Sequence, residues 1–151
     1  MDFKNTLQIS QLIVNRLTEG AFVHKMQGQL FKSQGFEKLG KKYIDHYNEE
    51  MGWVEKYTDR MLDLGFKPQV QLNKEYELIE DAKAYIESDL KEQREGVEML
   101  YKIMADLRDD PTTYDITKAY LLDEEEDQYW SEEQLELIEK IGLQNWLVKQ
   151  M

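Results

Sequence analysis

Glu50, Glu124 and Asp127 are the residues of this 151-residue chain whose types and spacing could hold a cation. Glu124 and Asp127 stand three apart, an interval that brings two side chains to one helix face, aimed at a shared ion. Glu50 is followed three residues later by Trp53, where an imidazole would complete a second such pair. Di-iron centres in helical bundles take a carboxylate from each of two helices and a Glu-x-x-His from each of the other two. This chain half fits that scheme. Leu17 and Trp53 have no donor atom for a metal, and the neutral amide of Gln93 is a weak ligand. The residues alone leave two readings open. One is a residual mono-metal site at Glu50, Glu124 and Asp127; the other is a set of polar groups bonded to one another or to water. His24 lies two turns beyond Leu17, about 10 Å along the axis, poorly placed to replace it. His46 precedes Glu50 by a turn and is at best an outer partner.

Four long amphipathic helices must position these groups. Apolar residues at three- and four-residue spacing predict helices over about 5–34, 37–64, 76–108 and 112–140, and LQNWLVKQM makes a short fifth. The inner stripes read Ile13, Leu17, Ala21, His24, Gly28, Phe31; Leu39, Tyr43, Tyr47, Glu50, Trp53, Tyr57, Met61; Ile86, Leu90, Gln93, Val97, Leu100; and Ile116, Tyr120, Glu124, Asp127, Ser131, Leu135, Ile138. Gly35, Gly65 with Pro68, Asp109-Asp110-Pro111 and Gly142 separate the segments. Short links pair helices one with two and three with four as antiparallel hairpins. The longer FKPQVQLNKEY connection permits a crossover along the bundle. The fold class is all-α, a single domain over residues 1–151, in the ferritin-like arrangement.

Composition narrows the partners. Thirty-one acidic residues against nineteen basic ones give a net charge of −12, which disfavours nucleic acid. An acidic surface suits cations. No run of about 18 apolar residues is present, so no membrane span is expected. The absence of cysteine, and of a basic-then-apolar N-terminal segment, points to the cytoplasm.

The tail EEQLELIEKIGLQNWLVKQM, with FKSQGFEKL, EEMGWVEKYTDRMLDLG and SDLKEQREG, resembles the bacterioferritins along essentially the whole chain. The resemblance implies a subunit of an iron-storage cage of twenty-four chains. It also implies haem b held between two subunits, with Met51 as the axial ligand contributed by each. The family's six di-iron ligands fall here on Leu17, Glu50, Trp53, Gln93, Glu124 and Asp127, and only Glu50 and Glu124 keep the family's residue type. The chain therefore resembles a haem-supplying, ferroxidase-deficient subunit, in which Trp53 fills the volume a metal pair would take. Its expected partners are copies of itself or a ferroxidase-competent bacterioferritin subunit. Two alternatives stand beside this: a ferroxidase with a rearranged site at Glu50, Glu124 and Asp127, and a purely structural cage subunit with neither haem nor iron oxidation. Tyr43, Tyr47 and Tyr57 stand at core spacing and most of them are expected to pack, with Trp130 packing helix four against a neighbour and Trp146 anchoring the fifth helix.

Overall fold

A computed structural model describes residues 3–151. It consists of α1 (Lys4–Ser33), α2 (Glu37–Asp63), α3 (Ala82–Ala105), α4 (Pro111–Ile141) and the short α5 (Leu143–Lys149). Among the described residues there is no strand, and no helix is long and apolar enough to cross a membrane. The architecture is the expected ferritin-like four-helix bundle with a short C-terminal helix.

The helix ends follow local chemistry. α1 and α2 both finish on a glycine with positive φ, Gly35 at 92° and Gly65 at 81°. In each case the next amide turns back onto the helix, Phe36 N donating to Phe31 O and Phe66 N to Met61 O, both at 2.9 Å. This closure consumes carbonyls the helix end would otherwise leave unpaired. α4 opens with Pro111 in its first turn behind the N-cap Asp110. The buried Asp110 carboxylate accepts from Thr113 N (3.2 Å), Thr113 Oγ1 (2.6 Å), Thr6 Oγ1 (2.8 Å) and Arg60 Nη2 (2.6 Å). One side chain thus ties α1, α2 and α4 at one end of the bundle. Burial pushes its carboxyl up, but the bonds from Thr113, Thr6 and Arg60 outweigh that and hold it below the ordinary carboxylate range.

α3 begins at Ala82, six residues later than the periodicity predicts. Residues 66–81 run as extended chain along α1, whose side chains supply the hydrogen bonds a helix would have made. Gln11 pairs with both backbone groups of Gln69, and Gln27 with both of Ile79, over 2.7–3.0 Å. Gln34 donates to Glu80 O, and Glu19 accepts from Asn73 N. Helical propensity in NKEYELIE yields to these side-chain bonds, which give Asn73, Ile79 and Glu80 backbone partners outside a helix.

Two apolar clusters fill the bundle, one toward each end. Ile13, Leu17, Tyr57, Met61, Leu100 and Tyr120 form the first. Phe31, Leu39, Tyr43, Tyr85, Ile86 and Trp146 form the second. α5 docks there through fully buried Trp146, whose indole N–H donates to Gln134 Oε1. α1 and α2 approach so closely that a Cβ on Gly40 would lie 2.6 Å from the carbonyl of Gly28. Between the two clusters lies a layer of polar side chains.

Candidate metal centre

All four long helices contribute to that layer: His24 from α1, His46 and Glu50 from α2, Asp89 and Gln93 from α3, Glu124 and Asp127 from α4. His24 is its hinge. Nδ1 faces Glu50 Oε1 in a close ion pair, and Nε2 faces Asp89 Oδ1 at 2.9 Å. Both nitrogens donate only as imidazolium. Burial pushes the pKa of His24 down, but Asp89 and Glu50 more than reverse it and hold the ring charged. Gln93 donates to the second oxygen of Asp89 at 3.2 Å and leaves its own Oε1 without a partner.

Beside this triad is a cavity of about 350 Å³, bordered by Leu17, Glu50, Gln93, Tyr120, Glu124 and Asp127. Glu50, Glu124 and Asp127, the carboxylates singled out in the sequence, therefore do share one space. Their oxygens are unequally free. Glu50 is held by His24, and Asp127 Oδ1 lies 3.1 Å from His46 Nε2. The carboxyl of Glu124 is pushed up to about 8, first by burial and then by Glu50 and Asp127, with His24 opposing. At neutral pH it is mostly protonated, as expected where carboxylates outnumber cations.

Two expectations need correction. His24 does reach the site: although two turns from Leu17, it meets Glu50 and Asp89 directly, because the cavity extends along the bundle far enough to be lined by Leu17 and His24 both. Trp53 does not fill the metal volume. It lies partly exposed, outside the cavity lining, with Nε1 donating to Asp123 Oδ2 at 2.9 Å and Lys56 Nζ 4.4 Å above its ring. Leu17, 2% exposed, belongs to the apolar cluster.

His46 and Asp89 are the site residues that the hydrophobic pattern does not pick out, although both stand at buried three- and four-residue steps. On α2 the buried positions run Leu39, Tyr43, His46, Glu50, Tyr57 and Met61. Tyr47, expected inside, instead stacks on half-exposed Phe22, centroids 6.2 Å apart. On α3 Ile86, Asp89, Gln93, Gly96, Leu100 and Ile103 are all buried at alternating three- and four-residue steps.

Met51 is partly exposed on α2, one turn beyond Tyr47. Lys25 Nζ lies 4.7 Å above the Tyr47 ring, and Phe22 and Met26, 44% and 52% exposed, occupy one face of α1. A Cβ placed on the adjoining Gly52 would meet nothing.

Two antiparallel helix pairs, a crossover running along α1 and a polar layer shared by four helices define a ferritin-like bundle. A family model described as a ferritin-like domain matches residues 10–141. The chain belongs to that family, and within it to the bacterioferritins. It is 30% identical over 154 residues to the bacterial ferritin of Pseudomonas aeruginosa, covering all of this chain and 96% of the relative. To the bacterial ferritin of a Synechocystis species it is 31% identical, over 86% and 83% of the two chains. The bacterial ferritin of Neisseria meningitidis serogroup B is 29% identical over the whole chain.

Proposed function

We propose that this chain is a subunit of an iron-storage assembly, that it lacks a complete di-iron ferroxidase centre of its own, and that Met51 ligates haem b between two subunits. The observation that carries the reading is the state of the carboxylates. Two of the six positions a di-iron pair would need hold Leu17, buried in the apolar cluster, and Trp53, turned to Asp123. Glu50, which keeps the family's residue type, is engaged by a protonated histidine. An imidazolium between Glu50 and Asp89 supplies within the protein the positive charge a metal would otherwise bring.

For haem, support comes from the partly exposed Met51, one turn beyond Tyr47, whose ring stacks on the exposed Phe22. Bound there, haem would relay electrons to stored ferric mineral. Iron oxidation would fall to a second, ferroxidase-competent subunit assembled with this one. Met51→Ala is expected to abolish haem uptake while leaving the assembly intact, read as loss of the Soret band at unchanged size-exclusion volume. Full haem occupancy in that variant refutes the ligand assignment.

A second reading, a ferroxidase with a rearranged site at Glu50, Glu124 and Asp127, draws support from the cavity those three share and from its surplus of carboxylates. Rapid ferrous oxidation by the chain alone would favour it.

A further inference from the structure

On the seam between α2 and α4, outside the His24 triad, three donors converge. His46, Glu49 and Asp127 each present a ligand atom within 4.8 Å of the other two. His46 and Glu49 stand three apart on α2, about 60° round the helix, so both reach this seam, His46 from the buried stripe it shares with Glu50 and Glu49 from its exposed edge. We propose that His46, Glu49 and Asp127 form a mononuclear site for a first-row divalent cation.

The geometry is that of ligands, not of a hydrogen-bonded pair. His46 Nε2 and Asp127 Oδ1 are 3.1 Å apart, yet neither nitrogen of His46 has the alignment of a hydrogen bond. Two atoms bound to one ion at about 2.0–2.2 Å, with an angle between a right angle and the tetrahedral value, stand about 3–3.5 Å apart and point at the ion rather than at each other. His46 is 2% exposed, so its unsatisfied nitrogens are hidden from bulk water, where such groups are uncommon without a purpose. Its ring is held by aromatic edges: Tyr43 at 5.8 Å, His24 at 5.5 Å and Trp130 at 6.4 Å between centroids.

Charge and access agree. Two carboxylates balance a divalent ion, and one imidazole with two carboxylate oxygens suits iron, zinc, cobalt or manganese. Lys42, which acts electrostatically on Glu49, extends over the Trp130 ring, 5.0 Å from its centroid. Glu49 is exposed, so an ion can enter from the surface without opening the bundle. Three protein donors leave positions for water, as in exchanging rather than closed sites.

The chain has only two histidines, which makes the test clean. Chelator-treated protein is titrated with zinc alone by calorimetry, and the loaded protein is studied by X-ray absorption. The expected result is one zinc per chain at this site with a single imidazole in its shell, bound at least about tenfold more weakly in Glu49→Gln. His46→Gln is expected to remove the imidazole scattering. Unchanged affinity in Glu49→Gln overturns the site, as does imidazole scattering that persists in His46→Gln, which would assign the ion to His24. Should His46→Gln fail to fold, Glu49→Gln, altered at an exposed position, decides alone. Neither haem content nor iron oxidation enters this readout.

Discussion

Glu124→Gln tests the electrostatics of the cavity most sharply. In the folded chain this carboxyl holds its proton up to about pH 8, against an ordinary value of 4.5. Between those values the folded state binds a proton that the unfolded state has released, so this group's contribution to stability is present below pH 4.5 and is lost as pH rises toward 8. A tenfold difference in proton affinity between the folded and unfolded chain corresponds to about 1.4 kcal/mol, so the full interval from 4.5 to about 8 sets a ceiling of roughly 5 kcal/mol. Solvent in the cavity relaxes part of that, and a loss of about 2–3 kcal/mol between pH 5 and 8 is a realistic expectation. The amide keeps the shape and the hydrogen-bonding capacity of the protonated acid but cannot ionise. Urea denaturation in the presence of a chelator, at pH 5, 6.5 and 8, should therefore show the variant gaining on the wild type as pH rises. His24 adds a slope of the same sign in both proteins, because its raised pKa means that its contribution too is lost as pH increases. The comparison removes that shared part. Parallel pH profiles for the two proteins would refute the reasoning and mean that Glu124 is solvated and ionised throughout.

Other predictions rest on packing at the bundle ends. Asp110→Ala removes the acceptor shared by Thr6, Thr113 and Arg60 and leaves a partly buried guanidinium unpaired. A loss of about 3–5 kcal/mol is expected in chemical denaturation. Because the Asp110 carboxyl is depressed, its contribution is present above the ordinary carboxylate range and disappears as pH falls through its folded value, so the variant should also show a flatter acid limb. Gly40→Ala places a Cβ 2.6 Å from the Gly28 carbonyl and 3.1 Å from Lys32 N, both backbone atoms that cannot rotate away. Forcing α1 and α2 apart should cost about 1–3 kcal/mol and lower the melting temperature; an unchanged melt would show that the close approach is not needed.

The bundle is legible in the sequence because each long helix carries a continuous apolar stripe with glycine or proline at its limits. The start of α3 is not, because NKEYELIE has helical composition, while the glutamines that hold it extended lie on α1, fifty residues away in sequence and visible only once folded. On α2, placing Tyr47 rather than His46 on the inner stripe follows hydrophobicity where the three- and four-residue steps from Tyr43 to Glu50 favour the histidine. His24 stands on its correct face in the sequence pattern, but its axial distance from Leu17 argues against it only if Leu17 marks the level of the site. The cavity spans both levels, with Leu17 and His24 alike in its lining. Asp89, one turn before Gln93, occupies the buried stripe of α3 without announcing itself, since an acid within a polar run such as SDLKEQREG ordinarily faces water. The common cause is physical: pairing across four helices decides which polar groups can be buried, and no single helix carries that information.

The central claim is that the polar layer does not by itself oxidise iron, and the initial rate of ferrous oxidation in air by this chain purified alone, beside a protein-free blank, tests it most directly. The predicted result is a rate at the level of the blank, unchanged by Glu124→Ala. A rapid, saturable rate that collapses in Glu124→Ala would contradict the claim and show that the cavity among Glu50, Glu124 and Asp127 is a working ferroxidase centre.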